Sequence, residues 1–192
     1  MITVSTSKIA ERAYHHGDLR SALIAAGMKV LQTSAPGDIS LRQLARDAGV
    51  SPTAVYRHFP DKNALLSALA AEGIEEMARW QQEAAHKATP ETAFAATGRA
   101  YVRWGLANPA MFRLVFGQCS EVGRSVFGDN TAAHLLRRFA QDRSASDEDV
   151  QTFMLQAWSL VHGLTMLILD GQLPNDDVLI DRVIDTTALF RI

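Results

Sequence analysis

The chain has 192 residues, 47% of them hydrophobic and 21% charged, which excludes a disordered protein and leaves room for one large domain or a small head on a medium body. Its single cysteine, Cys119, excludes an intramolecular disulfide and a cysteine-rich zinc module, and no charged segment followed by an apolar one opens the chain, so a reducing, cytoplasmic setting is expected. The net charge of −2 is uneven: residues 1–62 hold eight lysines and arginines against five carboxylates (+3) and the other 130 hold 11 against 16 (−5), the pattern of a polyanion-binding head on a different body.

Apolar residues recur at spacings of three and four and almost nowhere with a period of two, so the fold is read as all-α, with about nine helices. Residues 1–14 are polar without strong periodicity and are expected to be a flexible arm. A first helix is predicted from about Asp18 to Gln32, with Leu19, Leu23, Ala26 and Val30 on its buried stripe. Ser40 and Gln43 have the spacing of a capping box, flanked by an Ile39–Leu44 staple, and predict a second helix over Leu41–Ala48 with Gly49 reversing the chain. Ser51 as N-cap, Pro52 at the first helical position and a Val50–Val55 staple start a third helix, which Phe59-Pro60 stops after His58. Two short helices joined by a tight glycine-containing turn have the spacing of a helix-turn-helix. Asp61 caps a long fourth helix through Lys87, burying Leu65, Leu66, Leu69 and Ile74. Beyond Thr89-Pro90, helices are predicted at about 91–107, 109–117, 130–142, 147–170 and 176–190, with an irregular loop around Gly117–Asn130.

In a helix-turn-helix the second helix enters the major groove with its N-terminal residues at the base edges. Ser51, Thr53 and Ala54 offer hydroxyls and a methyl for that purpose, and Tyr56, Arg57 and His58 add a phenol, a guanidinium and an imidazole within one turn. Arg42 and Lys62 are placed to hold flanking phosphates. Residues 39–62, together with Tyr14-His15-His16-Gly17-Asp18-Leu19-Arg20, resemble the DNA-binding signature of the tetracycline-repressor (TetR) family of bacterial transcriptional regulators. That resemblance covers about residues 14–70 and implies DNA contacts by Arg42, Ser51, Thr53, Ala54, Tyr56, His58 and Lys62, the tyrosine and lysine on phosphates. Pro52 departs from members with a long polar side chain there, which shifts base reading toward Thr53, Arg57 and the arm residues Lys8 and Arg12.

The run from Phe153 to Leu169 is nearly all apolar, and at 17 residues with Gln156 and His162 inside it reads as too short and polar for a good membrane span. A helix apolar all round is buried on every side, one side expected to face a partner subunit. Gln156, Ser159 and Gly163 form a small-residue seam, and Ile180, Val183, Ile184 and Thr187 give the last helix a matching stripe for a dimer interface. Trp158, His162 and Gly163 are similar to the Trp-x-x-x-His-Gly signature of one TetR C-terminal subgroup, as is the segment Tyr101–Phe116. The resemblance implies a homodimer on a near-palindromic operator, with the domains divided at 15–60 for DNA binding and 61–192 for ligand binding and dimerisation. It also implies a small hydrophobic or aromatic effector, for which Phe94, Tyr101, Trp104, Met111, Phe112, Phe116, Met154, Trp158 and His162 are candidate lining residues.

No phosphate-binding glycine loop, nucleophile elbow, His-Glu-x-x-His or zinc-spaced Cys/His cluster is present, so neither catalysis nor a metal or cofactor is expected. Cys119 is expected to lie in a loop near Arg113 and Arg124, without a second cysteine to resolve an oxidised form. Two other readings share these residues: the same scaffold controlled by a protein partner without an inducer, and a small-molecule-binding or catalytic helical protein with a vestigial helix-turn-helix.

Overall fold

The computed structural model describes residues 16–117, 128–144 and 146–185. Among them are nine α-helices and no strand: α1 His16–Leu31, α2 Leu41–Asp47, α3 Pro52–His58, α4 Lys62–Lys87, α5 Ala93–Ala107, α6 Pro109–Gly117, α7 Thr131–Gln141, α8 Asp147–Leu169 and α9 Asp177–Ile184. A 3-10 turn at Pro36–Asp38 joins α1 to α2. The expected extension of the last helix to residue 190, the arm with Lys8 and Arg12, Thr187, and Cys119 with most of its loop lie outside the described residues.

Side-chain caps set most of these boundaries. The Ser51 hydroxyl accepts from the Ala54 N–H at 3.2 Å, Asp61 from Ala64 at 2.7 Å, Asn130 from Ala133 at 2.9 Å and Ser146 from Asp149 at 3.2 Å. Ser40 accepts from the Gln43 N–H at 3.4 Å, but the reciprocal half of its expected box does not form. The Gln43 amide turns along its own helix instead, donating to Asp47 and accepting from Arg46. Gly49 has φ +66°, and the chain closes there with Val50 N–H on the Ala45 carbonyl (2.9 Å) and Gly49 N–H on that of Arg46 (3.1 Å). This doubly bonded left-handed ending swings α3 across α2.

The head packs α1, α2 and α3 on the start of α4, burying Leu19, Leu23, Leu44, Val55, Phe59, Leu65 and Leu69 in one core that continues into the body through Met111, Phe112, Leu164 and Ile180. Two stripes differ from expectation in the same way. On α1 the buried positions are Leu19, Leu23, Gly27 and Leu31, with Ala26 and Val30 only half-buried, and on α4 they include Gly73 and Met77, with Ile74 half-buried. Glycine carries no hydrophobic signal, yet both glycines lie where helices come closest. A Cβ on Gly27 would stand 2.9 Å from a Leu69 methyl, and one on Gly73 would stand 2.6 Å from the Met111 sulfur.

In the body α4, α5, α7, α8 and α9 pack side by side, with a second apolar cluster of Phe94, Ala140, Val150, Phe153, Met154 and Ala157 at the end away from the head. With its capped first turn α8 reaches 23 residues, and it is the one helix among the described residues long and apolar enough to cross a membrane by length and composition. Length alone therefore does not exclude a span, contrary to expectation. The helix opens on Asp147, Glu148 and Asp149 and buries Phe153, Met154, Leu164 and Ile168 against its own protomer, as a core helix does.

Candidate functional site

The residues expected to face DNA belong to α2, to α3 with its N-cap, and to the first position of α4. Arg42, Ser51, Thr53, Tyr56 and Arg57 are exposed, and Ala54, His58 and Lys62 are half-buried. Among the described residues the side chains of Arg42, Thr53, Tyr56 and Arg57 have no hydrogen bond or ion pair, so their donors are unspent. Tyr56 is a large ring left 42% exposed, which folding alone does not favour. Ser51 already serves as the N-cap of α3, leaving its O–H to donate outward. The Lys62 ammonium donates to the Gly37 carbonyl, which ties the start of α4 to the turn before α2 and leaves two donors. Arg20, which the motif pattern did not single out as a contact, lies with its guanidinium 5.4 Å from the centre of the buried Phe59 ring and clamps the end of α3 to α1.

The body holds a partly open cavity bounded by five helices. Its wall comprises Met77 and Gln81 of α4; Phe94, Thr97, Gly98 and Tyr101 of α5; Ala132, Ala133, Leu135 and Leu136 of α7; Ala157, Trp158, Leu160 and Val161 of α8; and Ile184 of α9. Water-sized spheres can place their centres in about 60 Å³ of it, several times the space of about 10–15 Å³ that admits one water. Of the nine lining residues expected from sequence, Phe94, Tyr101 and Trp158 are on this wall. Trp104, Met111 and Phe112 are instead buried in the core nearer the head, Met154 is in the second cluster, and Phe116 and His162 pack beside Trp158 off the wall. Aromatic content marked them, but aromatic side chains fill cores as readily as pockets. The α7 wall and Gln81 escaped notice; the signal available was the row Met77–Gln81, one helical turn apart on a buried face.

The outer face of α8 carries Leu155 (52% exposed), Ser159, Gly163 and Leu167 (46% exposed), each four residues from the last. A Cβ on Gly163 would meet nothing within 4 Å, so its own protomer does not require a glycine there. Gln156 is exposed beside this row. Ile180 and Ile184, expected on a dimer face, are each 1% exposed and point into their own protomer, and Val183 is half-buried. Arg99 pairs with Asp181 at 2.9 Å and Arg103 with Asp177 at 2.8 Å, and these bridges turn the apolar side of α9 inward onto α5.

The family model described as "Bacterial regulatory proteins, tetR family" matches residues 23–69, and one described as "Tetracyclin repressor-like, C-terminal domain" matches residues 94–187. The chain belongs to the TetR family. Over 152 residues it is 19% identical to the uncharacterized HTH-type transcriptional regulator YobS of Bacillus subtilis, covering 79% of this chain and 80% of that one. It is 24% identical to the HTH-type transcriptional regulator Rv1816 of Mycobacterium tuberculosis over 58% of this chain and 49% of the relative, so it matches only half of that protein's length. Among solved structures, a protein of unknown function from Rhodococcus sp. RHA1 is 31% identical with a TM-score of 0.71, covering 91% of this chain and 93% of the other. A tetR-family transcriptional regulator from Streptomyces coelicolor shares the fold at 18% identity, TM-score 0.61 and coverage of 88% and 78%. This TetR-family chain is a DNA-binding transcriptional regulator.

Next to the cavity the TetR-family body holds a hydrogen-bonded aromatic chain. The Trp158 indole N–H donates to the Tyr101 phenol oxygen (3.3 Å), and that phenol pairs with Nδ1 of His162 (3.0 Å). His162 also lies 5.3 Å from Phe112 and 4.8 Å from Phe116, ring centre to ring centre. Burial among these rings pushes the His162 pKa below its ordinary 6.5. A neutral imidazole with its ring proton on Nε2 accepts a hydrogen bond from the phenol O–H at Nδ1. Because the unfolded chain takes up the proton first, stability is complete above about pH 6.5 and falls as the pH drops below it. Urea midpoints measured from pH 7.5 to pH 5 should therefore decline for the native protein and decline less for His162→Gln.

Proposed function

We propose that the protein is a homodimeric repressor acting in the cytoplasm, released from a near-palindromic operator when a small, mainly apolar ligand fills the body. In this reading residues 15–60 place Arg42, Ser51, Thr53, Ala54, Tyr56, Arg57, His58 and Lys62 on DNA, and residues 61–192 carry the ligand and dimer functions. The observation that carries it is the double duty of α8, whose inner side walls the cavity with Ala157, Trp158 and Val161 and whose outer side presents the row Leu155, Ser159, Gly163 and Leu167. A ligand that displaces the inner side tilts the outer one, and in a dimer that changes the separation of the two α3 helices. A hundredfold preference of ligand for the non-DNA form supplies about 2.7 kcal/mol of coupling. Control by a protein partner alone would fit a closed body better than one with an open cavity.

Sheared genomic DNA retained by the purified protein at moderate salt, and sequenced, tests this. Enrichment of a few near-palindromic sites that Tyr56→Ala loses is the expected result. Equal retention of all sequences, or of none, would remove the operator from the proposal.

A further inference from the structure

We infer that Arg20 of α1 is a further DNA contact, a guanidinium that binds a backbone phosphate and is held in place for it by the ring of Phe59. Phe59 is the residue on which α3 ends, directly after His58 and shortly before Lys62, so its ring marks the junction between the helix expected in the major groove and the start of α4. The ring is 1% exposed, whereas Arg20, with its guanidinium carbon 5.4 Å from the ring centre, is exposed. One side of the guanidinium meets the ring and the rest meets water.

Contact with an aromatic face is made through charge and spends no N–H donor. Among the described residues no hydrogen bond or ion pair engages the Arg20 side chain, so its donors are unspent. Packing alone does not call for this residue. Methionine or leucine would cover the ring without charge, while arginine adds a like charge to a head that already carries the unpaired Arg42 and Arg57. Such an accumulation opposes folding and favours a polyanion. The planar fork matches two phosphate oxygens, and a fork already held on a ring loses less freedom on binding than a free side chain. Phosphate is the partner rather than a base because Arg20 belongs to α1, outside the helix that enters the groove, and groups flanking that helix meet the backbone.

The test follows the anisotropy of a fluorescent mixed-sequence DNA duplex bound by the full-length protein at salt from about 50 to 200 mM. Arg20→Met, which keeps a flexible chain for Phe59 and removes the charge, should reduce the slope of log affinity against log salt by about one for each bound subunit, and weaken binding about tenfold or more at the lower salt. Arg20→Lys, with the charge but not the fork, should keep a near-native slope and bind with intermediate affinity. Both should melt within about 4 °C of the native protein. Lys29→Met is the control, since it removes the same charge about 13 Å further along α1 on its opposite side, beyond the reach of screened charge, and should leave the slope as it is. A native slope in Arg20→Met overturns the inference, and a lowered melting point with it would assign Arg20 to holding α3 alone. An equal loss of slope in Lys29→Met also overturns it, by tracing the effect to net charge instead of contact. Arg20→Gln, read in the same way, takes the place of Arg20→Met if that variant does not fold.

Discussion

Glutamate at both Leu155 and Leu167 should leave the protein folded but monomeric and weaken its binding to an operator fragment by about 10²–10⁴-fold, the advantage that linking two half-site contacts confers. Both leucines stand about half exposed on α8, so the protomer does not rely on them, and surface changes of this kind alter stability within about 0.5 kcal/mol. Across a two-fold axis each substitution occurs twice, bringing four carboxylates into a surface that has to lose water for the helices to meet. Sedimentation velocity and circular dichroism on the same sample separate dissociation from unfolding. Gly163→Leu is the complementary change: a Cβ there meets nothing within 4 Å in its own protomer, and leucine is the better helix former by about 0.8 kcal/mol. It should hold a second helix away while the protomer stays intact. Persistence of the dimer in both variants would place the interface elsewhere.

Arg42→Ala with Tyr56→Ala should lower operator affinity by about 10²–10³-fold at fixed salt, because each lost contact is worth about 1 kcal/mol net and occurs twice in a dimer. The two parts of the variant separate by their salt dependence. With Arg42 on a phosphate in each subunit, as proposed, its removal should reduce the slope of log affinity against log salt by about two. Tyr56, as a proposed hydrogen-bond donor without charge, should shift the line with little change of slope. Thr53→Ala should relax discrimination at one base position and leave binding to other positions as before. Native affinity and slope in the double variant would show that α2 and α3 approach DNA by another edge.

The head was legible in the sequence because its boundaries depend on short-range chemistry. Ser51 and Asp61 announce α3 and α4 by side-chain caps that any host would form, and Gly49 announces the turn by a backbone conformation that other residues resist. What the sequence concealed depends on neighbours. Gln43 has the right spacing for a capping box, but Asp47 and Arg46 are nearer competitors for its amide. Gly27 and Gly73 hide the true buried stripes, since close packing at those points is visible only once Leu69 and Met111 are laid over them. On α9 the isoleucines advertise an apolar face, but the body it meets is visible only with α5 in place, where Arg99 and Arg103, some eighty residues earlier, pair with Asp181 and Asp177. The cavity was partly legible for the same reason: Phe94, Tyr101 and Trp158 can be picked from composition, whereas Gln81 joins the wall only through the packing of α4 against α5.

The continuity of the head's core with α4 bears on how such regulators can be recombined. Leu65, Leu66 and Leu69 lie beyond the helix-turn-helix in sequence yet are buried with Leu23, Leu44 and Val55, and Leu69 covers Gly27 of α1. A chimera joined at residue 60 would strip the transplanted head of three buried leucines and expose them on the recipient. A joint placed inside α4 after Leu69 carries the whole interior across and passes the helix, unbroken, to the new body. The seam for exchanging DNA specificities among these proteins therefore lies within a helix, where a designer would ordinarily avoid cutting.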